Sequence, residues 1–181
     1  MINNLTIVVG IAIFSFMLIG PLVLLTQQAY GKDAYGQVYD EGREDKNMKS
    51  IEFNHGELKL AGNLYFPDGF DANQKYPAIV TVHPGGGVKE QVAGLYAQKL
   101  SEQGFVTLAF DASHQGASEG MPRYLDDPMK RVADVYSAID YLNTLDYVDA
   151  NRIGILGACA RSGTAVKAAT TDHRIKVVAT V

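Results

Sequence analysis

The sequence predicts an α/β domain, a mostly parallel sheet covered by helices on both faces. Three observations carry this. Two short apolar strands flank a turn at Asn54-His-Gly-Glu57, and strand and helix patterns then alternate to the end of the chain. The residues suited to chemistry also fall at the carboxyl ends of strands, where open α/β sheets place their sites.

The elements follow in order. Ser50–Phe53 and Leu58–Phe66 read as a hairpin, and Pro77–His83 as a compact apolar strand that runs into Pro84-Gly-Gly-Gly87. Gln91–Gln103 has helical spacing (Val92, Leu95, Tyr96, Leu100) and meets Gly104, a good helix stop. Phe105–Phe110 is a buried strand that closes at Asp111. After a loop rich in Gly, Ser and His, Pro128 suits a helix start, with Val132, Val135, Tyr136, Ile139 and Leu142 as its apolar stripe to Leu145. Ile153–Leu156 is a strand, Ala160–Thr171 a helix and Ile175–Val181 a last strand.

Composition narrows the function classes. The 181-residue chain is 47% hydrophobic and 20% charged, with a net charge of -4, so nothing points to nucleic acid as a partner. A single cysteine excludes an intrachain disulfide. The amino terminus is different in kind. Leu5 to Leu25 contains no charged residue and would span roughly 30 Å as a helix, the thickness of a bilayer core. Met1-Ile-Asn-Asn4 lacks the basic start of a signal peptide, and Gln27-Gln-Ala29 is a poor cleavage site. Residues 1–26 are therefore expected to be a single-pass transmembrane anchor, with export after signal cleavage as the alternative. Residues 27–49 read as a polar linker and 50–181 as the α/β domain.

The most informative stretch is Arg152-Ile-Gly-Ile-Leu-Gly157-Ala-Cys159-Ala-Arg-Ser-Gly163. An apolar strand drives into a sharp turn carrying Cys159, and a helix follows at once. Such a turn thrusts its apex side chain out of the sheet, and a helix amino terminus beneath it favours a thiolate. The N–H of Ala160 and those of the Gly85–Gly86 region are candidate oxyanion donors, since glycines after a central strand let the backbone aim an N–H at a carbonyl. His83, Asp111, His114 and Arg161 are candidates for the pocket rim. Lone cysteines are more often small buried hydrophobes, and Asp111 and His114 more often tie down a loop than act in catalysis. His55 in its hairpin turn and His173 after the last helix read as inert. No spacing suggests a metal site, no cofactor is implied, and neither glycine cluster has a phosphate-loop pattern.

At these residues the chain resembles the α/β-hydrolase superfamily, and within it the dienelactone-hydrolase-like group with a cysteine elbow. The resemblance rests on HPGGG at 83–87, DASHQGASEG at 111–120, VDANRIGILG at 148–157 and the Cys159 elbow, in family order across 50–181. It implies an eight-stranded sheet of which strands one to six are present, so a domain truncated after about the sixth strand and incomplete at its carboxyl-terminal end. It implies hydrolysis of an ester, lactone, thioester or related acyl bond of a small-molecule substrate, with Cys159 as nucleophile and Gly85, Gly86 and Ala160 as oxyanion hole. The family's acid and histidine follow later strands. Arg161 departs from the pattern, because the second position after the nucleophile is usually small, and a large cation there is expected to crowd the turn. An apolar last strand left as a sheet edge is expected to favour self-association. The rival readings are an inactive or truncated hydrolase fold serving as a binding or structural protein, and a dinucleotide- or phosphate-binding domain.

Overall fold

A computed structural model describes the strand Thr6–Val9 and residues 47–181. The expected membrane span at 5–25 otherwise lies outside the described residues, as do the linker residues up to 46. Thr6–Val9, inside that stretch, is a strand, β1. Among the described residues no helix is long and apolar enough to cross a membrane.

The remaining elements are β2 (Met48–His55), β3 (Leu58–Tyr65), β4 (Tyr76–Val82), α1 (Gly94–Ser101), β5 (Val106–Phe110), α2 (Pro128–Asn143), β6 (Val148–Gly157), α3 (Ser162–Thr171) and β7 (Ile175–Thr180). A short wide turn, Lys89–Ala93, leads into α1, and a 3₁₀ turn, Cys159–Arg161, leads into α3. The strands form one sheet in the order β1-β7-β6-β4-β5-β3-β2. The hairpin and the β3–β5 pair are antiparallel, whereas the four pairs from β5 to β1 are parallel. The mostly parallel α/β sheet expected from the sequence is realised.

Local sequence explains the layers. All five residues of β5 are buried, as expected of a strand covered on both faces. Its Leu108 and Phe110 join the core beneath α2 and α3, while Ala109 between them packs with Ala93 and Ala97 beside α1. Successive side chains of a strand point to opposite faces, so α1 covers one face and the α2–α3 pair the other. The expected α2 stripe is present: Val132, Val135, Ile139 and Leu142 are buried, each contributing roughly 1.5–3 kcal/mol. Pro128 opens the helix, and the Asp127 carboxylate accepts the N–H groups of Met129 and Lys130 at 2.8 and 3.2 Å.

Two differences from the sequence reading matter for the site. The helix expected from Gln91 begins at Gly94, because Gln91 leaves helical geometry (φ -85°, ψ -131°). The outer edge of β7, expected to lie open, is paired in parallel with β1 from Thr6↔Val177 to Val9↔Thr180.

Candidate active site

Three central strands end at one level. In the parallel ladder Val82 of β4 lies opposite both Phe110 of β5 and Gly157 of β6. The segments that leave these ends are the glycine turn after His83, the loop after Asp111 and the cysteine elbow after Ala158. At about 4.8 Å between strands, the topology alone makes them neighbours.

The elbow is sharp. Cys159 has φ +57°, a left-handed conformation rare for a residue with a side chain, and it is exposed. Backbone contacts impose this shape. Ala158 N–H donates to the Val82 carbonyl at 3.2 Å, and Cys159 N–H to that of Val181 at 2.7 Å. Arg161 N–H closes the 3₁₀ turn on the Ala158 carbonyl at 3.1 Å. A Cβ on Gly157 would lie 2.5 Å from the Arg161 carbonyl oxygen and 2.8 Å from the Ala165 methyl, so only glycine fits under the turn.

The glycine turn faces it. Gly87 N–H donates to the Pro84 carbonyl at 2.9 Å, and Gly86 at φ +73° supplies the positive φ of a type II turn. Gly85, Gly86, Cys159 and Ala160 are all exposed, so the expected nucleophile and oxyanion residues share one solvent-facing layer.

The four residues expected on the pocket rim do not share that layer. His83, Asp111, His114 and Arg161 are only 1%, 0%, 4% and 6% exposed. Asp111 accepts the Lys89 N–H at 2.7 Å, the Lys89 ammonium at 2.9 Å and the Ala117 N–H at 2.9 Å. Burial opposes the charge on Lys89, but its contacts with Glu90 and Asp111 more than compensate and hold its pKa above the ordinary lysine value. His114 has φ +69° and hydrogen-bonds through Nδ1 to the Pro122 carbonyl at 3.0 Å. A Cβ on Gly120 would stand 2.7 Å from that same ring nitrogen. Asp111 and His114 thus hold loops together, consistent with the blander expectation for them.

Arg161 does not crowd the elbow. Its guanidinium lies against the Asp126 carboxylate and about a van der Waals contact from Gly85, whose Cβ would meet Arg161 Nη2 at 3.6 Å. Asp126 also accepts from Arg131 Nε at 3.1 Å. Burial alone would raise the Asp126 pKa, yet the two arginines draw it below the ordinary aspartate value. Sequence reasoning missed Asp126. It stands one residue before a helix cap, and its partner Arg161 is 35 positions away, so no local pattern marks it. Lys89, Arg131, Ser113 and Asp134 were missed for the same reason. Asp134 accepts the Ser113 N–H and hydroxyl at 3.0 and 3.1 Å, fixing the loop after β5 to α2.

His55 bonds through Nδ1 to Ser137 at 2.8 Å, pinning the hairpin to α2, and His173 lies after α3. An apolar cleft of about 370 Å³ beside Leu100, Phe105, Ile79, Leu156 and Val177 includes none of the site residues.

Comparisons with known proteins agree with this fold. The profile of the Dienelactone hydrolase family matches residues 61–181. The chain is 54% identical over 128 residues to the uncharacterized protein YcjY of Escherichia coli (strain K12), covering 71% of this chain and 42% of that protein. It is 35% identical to thiohydrolase aneE of Aspergillus aculeatus, covering 76% and 42% of the two chains. Among solved structures it resembles the hypothetical protein PA2218 of Pseudomonas aeruginosa, with a TM-score of 0.70, 41% identity and coverage of 74% and 41%. The chain spans less than half the length of these relatives.

Proposed function

The chain belongs to the dienelactone hydrolase family of α/β-hydrolases, and on that premise we propose that it carries the nucleophile and oxyanion half of an acyl hydrolase. The substrate is a small ester, lactone or thioester. The Cys159 thiolate attacks the carbonyl carbon, forming an S–C bond while the carbonyl π electrons move to oxygen. That oxyanion is met by N–H groups from the Gly85–Gly86 turn and Ala160. Collapse restores the carbonyl and expels an alkoxide or thiolate, which takes a proton from water. The resulting thioester at Cys159 is then hydrolysed.

One observation supports this above the others. An exposed cysteine is held at positive φ on a strand-to-helix turn, one ladder step from an exposed glycine turn. Strained backbone of this kind persists only where its surroundings impose it, and it gathers at reacting positions. The thiohydrolase name of one relative fits the same bond class.

The test is acylation of the full chain by p-nitrophenyl acetate, read as a stoichiometric burst of p-nitrophenol and a mass increase of one acetyl group at Cys159. Cys159→Ala should abolish both. A folded chain with no burst, or a burst that survives in Cys159→Ala, would favour the binding-protein reading.

A further inference from the structure

We propose that His83 is a positioning residue for the oxyanion turn, acting as a neutral imidazole protonated on Nδ1; this rests on the acyl-hydrolase reading above. The ring is buried at the carboxyl end of β4, and both of its nitrogens are engaged by backbone. Ala112 N–H donates to Nε2 at 3.1 Å. Nε2 must therefore carry a lone pair, which leaves the ring proton on Nδ1. Nδ1 faces the Pro84 carbonyl at 2.7 Å, an acceptor only, and donates to it.

This fixes the direction of one catalytic N–H. In a planar trans peptide the C=O and the following N–H point in opposite directions. His83 draws the Pro84 oxygen inward, toward the buried ring, and Gly87 N–H binds the same oxygen. The Gly85 N–H therefore points away from the core, into the layer that holds Cys159 and Ala160. Without the imidazole, the Pro84–Gly85 peptide has only the turn's own hydrogen bond to resist rotation, and glycine on its far side offers no steric resistance. The other end of the segment is anchored by Asp111 through the Lys89 N–H. The loop after β5 thus grips the glycine turn at both ends, at Ala112 through His83 and at Asp111 through Lys89.

The role separates two reactions of the same thiol. Acylation by p-nitrophenyl acetate passes through an oxyanion, whereas alkylation by iodoacetamide displaces iodide at a saturated carbon and develops no carbonyl oxyanion. The ratio of the two rate constants isolates the oxyanion contribution from thiol exposure and basicity. In the wild-type chain this ratio should exceed that of N-acetylcysteine by about 10²-fold. In His83→Leu it should fall at least about tenfold, with alkylation within about twofold of wild type. His83→Asn retains a donor at the δ position for Pro84 and should keep most of the ratio. His83→Gln, whose longer side chain carries its amide to the ε position facing Ala112 and away from Pro84, should not.

An unchanged ratio in His83→Leu overturns the positioning role and leaves the acyl-hydrolase reading standing. A wild-type ratio equal to that of N-acetylcysteine removes that reading, and the positioning role with it. If His83→Leu does not fold, the ring ¹⁵N resonances of the wild-type chain decide. A protonated Nδ1 and bare Nε2 at neutral pH support the assignment, and a proton on Nε2 overturns it.

Discussion

The glycine turn and the cysteine elbow both lie exposed at the carboxyl ends of neighbouring strands, yet they are held in opposite ways. The glycine turn is gripped from outside by side chains, His83 on Pro84 and Asp111 on Lys89. The elbow is held mainly by main chain, through Ala158 on Val82, Cys159 on Val181 and the packing of Gly157 beneath Arg161. The contrast follows from the residues. Glycines impose no conformation of their own, so a turn built from them needs external clamps. A cysteine at φ +57° resists its conformation, so the ladder on either side must enforce it.

Substitutions can break this contrast, beginning with the largest effect. Asp111→Ala removes the acceptor of the Lys89 and Ala117 N–H groups, leaves the Lys89 ammonium with Glu90 as its remaining partner, and should lower stability by about 2–4 kcal/mol, read from urea unfolding. A loss below about 1 kcal/mol would mean the side-chain clamp is not what holds the glycine side. Gly157→Ala forces its methyl against the Arg161 carbonyl and Ala165 and should cost about 1–3 kcal/mol. It should also disturb Cys159 reactivity while leaving the His83 ring resonances in place.

Acid reaches the glycine side through His83. Burial lowers the His83 pKa below its ordinary 6.5; the Pro84 carbonyl and Asp111 oppose this, and Arg131 and Arg161 reinforce it. The unfolded chain therefore binds the proton more readily than the folded one. Stability should fall as pH drops below about 6.5 and level off once pH is under the native value. His83→Asn should flatten that slope. The smallest effect sharpens the elbow side. Cys159→Gly relieves the left-handed strain at the expense of chain entropy and should raise stability by about 0.5–1 kcal/mol while removing the thiol. A loss of stability instead would show that Cys159 packs rather than strains.

Much of this arrangement was legible in the sequence where the signal is local. Apolar runs marked the central strands, Pro128 marked the start of α2, and the glycine-flanked Cys159 marked the elbow. Residues whose roles depend on distant partners were not legible. Asp126 meets Arg161 across 35 positions and Lys89 meets Asp111 across 22, and neither separation leaves a periodic trace. His83, read as rim, turned out to face inward. Strand alternation cannot settle which way a residue just past a strand end points. The strand expected at Ile153–Leu156 takes in only the second half of β6, because Asp149, Asn151 and Arg152 interrupt the apolar run, although Val148 pairs with Tyr76.

The hydrogen bond from the Cys159 amide to the Val181 carbonyl has a consequence in time. The Cys159 backbone is locked by a residue that arrives only after α3 and β7 have crossed over and docked. A growing or refolding chain therefore holds an unshaped thiol until its last described strand is in register. Amide exchange at Cys159 should then slow in step with that of β7, after β4 and β5 are already protected.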